Sequence, residues 1–197
     1  MIIELIVVVL IGLLAGGVVN VLADDLPLRR PVRLPRYVGP DKKRIIRAEV
    51  EGVDDALAFA REDDEPRPPI AWLGITAFLF GKRISPQGVK LSWRYPLTEL
   101  LTAGLMALTL AATSHINQNP DQGNVDLLQL IFWLVYMAIF ALITVIDMEH
   151  KLILFVVIIP AAILAVLDAV ITTYPPNLTE ALIGGAAGFG IFFLLYN

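Results

Sequence analysis

The chain has 197 residues, is 57% hydrophobic with mean hydropathy +0.72, and carries a net charge of −4. Too few polar side chains remain to cover an aqueous surface, so an ordinary soluble domain is excluded and a polytopic helical membrane protein is expected. The absence of cysteine excludes disulfides and thiolate metal sites.

Five apolar runs mark the expected helices, at residues 5–23, 97–116, 127–146, 152–171 and 181–196. Four are about long enough to cross a hydrocarbon core of roughly 30 Å at about 1.5 Å per helical residue. The fold class is therefore all-α, with about five transmembrane helices and one large cytoplasmic loop. Residues 1–23 form the first helix, 24–95 the loop, and 96–197 the remaining helices.

The first run has no basic flank, holds Glu4 at its start and is followed by Asp24 and Asp25, so a retained helix is favoured over a cleaved signal peptide. Within it, Gly12 and Gly16 form a small-xxx-small pattern that lets helix backbones approach closely, and Asn20 can hydrogen-bond across helices. The loop opens with Pro27, Pro31, Pro35 and Pro40, whose fixed φ and missing donors oppose helix. A basic stretch at 42–47 follows. Ala and Leu at helical spacing after Asp54 and Asp55 predict a short surface helix at 53–62, ended by Pro66, Pro68 and Pro69. Residues 70–80 are apolar for eleven positions only, too few to cross, and are expected at the interface or packed on the helices.

Charge sets the expected orientation. Fourteen of the 15 Lys and Arg residues lie between Arg29 and Arg94, and the fifteenth is Lys151. Cytoplasmic loops collect such residues, so the loop and Lys151 should lie inside, with the amino terminus and the connections 117–126 and 173–179 outside. Against the loop's 14 basic residues stand 11 acids, a mildly positive balance suited to anionic headgroups.

Polar groups in the spans are few, and each is a candidate if it lies at membrane depth. Glu99 follows Pro96 in a first turn, where the helix dipole stabilises an anion, so a structural role and a catalytic one stand level. Asp168 falls near the outer end of its run and is expected to be solvated. His150 reads as an interfacial polar residue rather than a metal ligand, because His115 falls on the other side. Asp147 differs from these: it ends an uncharged run of about twenty residues at a helix carboxyl end, where the dipole disfavours an anion. Such an acid near a second one suits an aspartic dyad, in which acid and base share a water nucleophile. The competing reading is an interfacial charge that only fixes helix depth. The last run, about 16 residues or 24 Å of helix, is expected to stop inside a span, and it carries a second small-xxx-small pattern at Gly184 and Gly188.

Three segments together resemble the type IV prepilin leader peptidase family. Gly16-Gly17-Val18-Val19-Asn20-Val21 with Leu26-Pro27 is similar to its Gly-Ser-Phe-Leu-Asn-Val helix and Arg-Leu-Pro exit. Arg94-Tyr95-Pro96-Leu97-Thr98-Glu99-Leu100-Leu101 matches its Arg-Tyr-Pro-Leu-Val-Glu-Leu-Leu almost residue for residue, and Ile146-Asp147-Met148-Glu149-His150-Lys151-Leu152-Ile153 resembles the segment of its first catalytic aspartate. The resemblance implies a membrane aspartic endopeptidase acting at the cytoplasmic face on pilin-like precursors. Asp147 would be the catalytic acid, with Glu99, His150, Lys151 and Asn20 in support. Proteolysis would need no cofactor or metal, S-adenosylmethionine would serve the family's methylation, and no nucleic-acid partner is expected.

Departures from the family accompany the match. Ile84 and Gln87 stand where a zinc-binding cysteine pair belongs, Leu154 and Phe155 where Pro and Asp belong, and Asp25 where Arg precedes Leu-Pro. The second aspartate, in a Gly-x-Gly-Asp motif, is missing: Gly188 and Gly190 have no acid after them. If the chain ends at Asn197, no proteolysis is expected, and the alternative is an inactive relative serving as an accessory subunit of a larger membrane complex. A transporter fragment finds no support, since no broken-helix pair lines a midplane site.

Overall fold

Residues 2–29, 31–37, 65–118, 124–152, 154–172 and 174–196 are described by a computed structural model. The expected basic stretch at 42–47 and surface helix at 53–62 lie outside these residues. The described chain is mostly helical. Helix α1 (Ile2–Asp25) leads through a 3-10 turn at Leu26–Leu28 into the loop, where β1 (Arg36–Tyr37) pairs antiparallel with β2 (Glu65–Pro66), Arg36 opposite Pro66. A second 3-10 turn, Pro69–Ala71, and the short helix α2 (Gly74–Leu79) follow. Then come α3 (Arg94–Asn117), α4 (Leu127–His150), α5 (Phe155–Ile171) and α6 (Leu178–Tyr196).

Helices α1, α3 and α4 have 24 residues each, about 36 Å of rise, and are long and apolar enough to cross a membrane. In such a helix the backbone satisfies its own hydrogen bonds, so apolar side chains can face lipid at no polar cost. Helices α5 and α6 are apolar and shorter, 17 and 19 residues. The segment at 70–80 forms no span: it holds only one six-residue helix, α2, packed on α3.

Helix ends follow local chemistry. Pro96 occupies the first turn of α3, where a missing N–H breaks no helical bond. The Asp126 carboxylate caps α4 by accepting the Gln129 N–H at 2.7 Å. At the other end α4 runs a turn past Asp147, and Lys151, left-handed at φ 51°, donates its N–H to the Asp147 carbonyl at 2.9 Å.

Helices α1, α3 and α4 pack against one another, and α5 joins them through α4. One apolar core joins Val19 and Ala23 of α1 to Ala141, Leu142, Val145 and Ile146 of α4 and Val157 of α5. Nearer the start of the chain, Val8 packs on Met106 and Leu110. A satellite core of Tyr37, Ala71, Ala77, Leu91 and Tyr95 ties the loop to the base of α3.

Candidate functional site

Every fourth residue of α1 along one stripe, Gly12, Gly16, Asn20 and Asp24, faces α3, because a helical step of four returns to nearly the same side. A side chain on Gly12 would stand 2.5 Å from the Ala103 Cα, and one on Gly16 2.5 Å from the Glu99 Cα. Only glycine permits that approach. The closeness lets the two polar residues that continue the stripe reach across the seam. Asn20 Nδ2 donates to the Tyr95 carbonyl at 3.0 Å and to Glu99 Oε1 at 3.3 Å. Asp24 takes the Tyr95 hydroxyl hydrogen on Oδ2 at 2.8 Å and pairs through Oδ1 with Arg94 Nη2, also at 2.8 Å.

Glu99 is 0% exposed, and it caps a different helix from its own. Its Oε1 accepts the Gly74 N–H and its Oε2 the Ile75 N–H at 2.8 Å, so the carboxylate closes the amino end of α2. Orphan donors of that helix end face both carboxyl oxygens in a buried setting. The helix amino end that Glu99 meets is that of α2 rather than that of α3.

Arg94 extends the network to α4, bonding Glu149 through Nη1. His150, its side chain nearly enclosed, brings Nε2 to 3.8 Å from the same Glu149 oxygen. From the loop, Arg67 is buried with its guanidinium carbon 4.3 Å from the Tyr95 ring centroid, as is that of Arg94, a favourable cation–π distance. Arg67 Nε donates to the Arg36 carbonyl at 2.6 Å, locking β1 against the knot. Burial lowers the proton affinity of the Arg67 guanidinium, while Tyr95 and Asp24 pull the other way. The result is one polar knot linking α1, α2, α3, α4 and the loop.

Among the residues expected at a site, Asn20 and Glu99 meet in this knot and His150 borders it through Glu149. Asp147 and Lys151 do not join it. Asp147 is exposed, on the side of α4 turned away from buried Val145 and Ile146, and Lys151 is exposed beyond it. A shallow apolar groove between α4 and α5 is lined by Ile143, Ile146, Leu152, Leu154, Val157 and Ile158, and Asp147 is not among its lining residues. Sequence reasoning missed Asp24, Arg67, Arg94, Tyr95 and Glu149 as members. The fourfold spacing of Gly12, Gly16, Asn20 and Asp24 was the readable signal for the first of these.

At the opposite end of α4 the expectation for Asp168 is corrected. It is 7% exposed rather than solvated, with Oδ2 accepting from the Tyr136 hydroxyl at 2.9 Å and Gln129 Nε2 at 3.3 Å and Oδ1 from Thr172 Oγ1 at 3.0 Å. Three donors from α4 and the end of α5 replace the water that its position in the run suggested.

No protein-family model, curated protein or solved structure matches this chain.

Proposed function

We propose that this is an integral membrane protein of the prepilin leader peptidase type, set in a bacterial cytoplasmic membrane with the loop 24–95 inside and Asp147 serving as one acid of an aspartic dyad. The observation that carries the reading is a convergence. The three segments that resemble the family, around Asn20, Arg94 to Glu99 and Asp147 to Lys151, are separated by more than forty residues in the chain, yet Asn20, Asp24, Arg94, Tyr95, Glu99 and Glu149 bond to one another. Such a knot fixes the end of α4 that bears Asp147, which suits a carboxyl group that must be held in place to activate water. In the family that the chain resembles, the partner aspartate lies in a Gly-x-Gly-Asp motif, which residues 1–197 do not contain. The pilin-like substrate would present its scissile peptide at this end of the bundle.

The groove between α4 and α5 offers only apolar side chains. It does not fit S-adenosylmethionine, whose ribose and carboxylate need polar partners.

A second reading, an accessory subunit of a larger membrane assembly, draws on the exposure of Asp147 and on a knot whose bonds are all explained by helix packing. Both readings meet in one assay. Membranes carrying the protein are incubated with a pilin-like precursor, and the shortened product is followed. Leader release that falls by about a hundredfold or more in Asp147→Asn supports the peptidase. Equal release by both proteins removes Asp147 from the mechanism, and no release by either favours the accessory role.

A further inference from the structure

Between α2 and α3 the loop carries an unusual surface. From residue 68 to residue 93 the sequence contains Lys82, Arg83 and Lys90 and no acid. Leu79 is 76% exposed, Phe80 59% and Trp93 59%, with Ile70, Trp72 and Ile84 also open. These are large apolar groups on a segment too short to span, next to cations.

Two features say what covers this face. First, it is continuous with the side of α3 that faces outward from the bundle. Trp93 stands one turn before Leu97, and exposed Leu97, Leu100, Leu101 and Leu108 continue the same stripe along a membrane-length helix. Phe78 packs on Trp93 with ring centroids 4.5 Å apart, so α2 is joined to that stripe by an aromatic pair. Second, the charge is one-sided. The Arg83 guanidinium carbon lies 4.9 Å from the Phe78 ring centroid and 5.5 Å from that of Trp93, while Lys82 and Lys90 are exposed. An apolar base edged by tryptophan and topped by cations is the composition that settles at a headgroup layer, where aromatic rings take the boundary and Lys or Arg meet anionic phosphates.

We propose that residues 70–93 form a foot that rests in the headgroup region of the same bilayer that α3 crosses, with Leu79, Phe80 and Trp93 entering the acyl boundary and Lys82, Arg83 and Lys90 engaging anionic lipid. The foot holds α2 at a fixed depth. Because Glu99 caps α2 and also binds Asn20, lipid charge then bears on the knot at the base of α1 and α3. This inference does not depend on a peptidase activity.

The chain has no cysteine, so single spin labels report one site each. Labels at Leu79→Cys and, in a separate variant, Phe80→Cys are placed in nanodiscs of phosphatidylcholine with phosphatidylglycerol, with Leu108→Cys as the lipid-facing reference. The expected result is several-fold greater relaxation by oxygen than by a water-soluble nickel chelate at both positions, as at Leu108. Replacing Lys82 and Lys90 by Gln, or omitting phosphatidylglycerol, should raise chelate access at Leu79 by several-fold while leaving Leu108 unchanged. Labels at 79 and 80 reached mainly by the chelate overturn the foot and leave the face open to a protein partner. Access indifferent to lipid charge overturns the headgroup contact.

Discussion

Glu99 was expected at the amino end of its own helix, with structural and catalytic roles level, and the structure sets it at the amino end of another. Its position after Pro96 advertises a helix amino terminus, and a helix amino terminus is what it stabilises. The helix is α2, twenty-five residues upstream in the chain, whose Gly74 N–H it accepts. Removing it leaves the Gly74 and Ile75 amides without their acceptor in a buried setting and takes one of two bonds from the Asn20 amide, and unsatisfied buried donors cost about 1–3 kcal/mol each before relaxation. Glu99→Ala should lower stability by about 2–4 kcal/mol in detergent unfolding and open residues 65–93 to proteolysis. Glu99→Gln, which keeps one acceptor, should lose less. A loss below about 1 kcal/mol for the alanine variant would show that the cap is not what holds α2. At the same scale Asp147 was legible as an unusual acid at the end of an apolar run, but its exposure was not. Whether a helical residue faces a neighbour or the surroundings depends on where the other helices stand.

Among the elements, the seam between α1 and α3 organises the bundle. Gly12-x-x-x-Gly16 and Gly184-x-x-x-Gly188 are equivalent as patterns, and sequence alone cannot rank them. In the structure the first is filled by the α3 backbone, whereas nothing lies within 4 Å of a side chain built on Gly184 or Gly188. The contrast gives a paired test. Gly16→Leu must push α3 away, breaking the bonds of Asn20 and Asp24, and should cost about 1–3 kcal/mol or more. Gly188→Leu meets open space and should change stability by no more than about 0.5 kcal/mol. Thermal unfolding of both variants in the same detergent checks the difference, and similar losses would contradict the seam. Arg67 had no sequence signal at all, since its place beside Tyr95 depends on a loop folding back by way of the β1–β2 pair.

For the whole molecule, the distribution of Lys and Arg carries the proposed orientation, and the missing cysteines make it directly testable. A cysteine introduced at Gln87, in the turn closed by Ser85, should resist an impermeant maleimide in intact cells and react after permeabilisation, whereas one at Asn177 should react in both. The reverse pattern would invert the topology and put Asp147 on the wrong side for a cytoplasmic peptidase. Composition and hydropathy alone determined that the chain is helical and apolar, because those properties depend only on local backbone satisfaction and on transfer of side chains out of water; of the four runs expected to be long enough to cross, three form helices of that length, while residues 152–171 give the shorter α5. Helix starts near Arg94 and Leu127 were readable within a few residues for the same reason. Which glycine pair packs, which acids are buried and which residues bond across tens of positions were decided only by tertiary structure. Those outcomes turn on the approach of one backbone to another, a distance that no local pattern encodes.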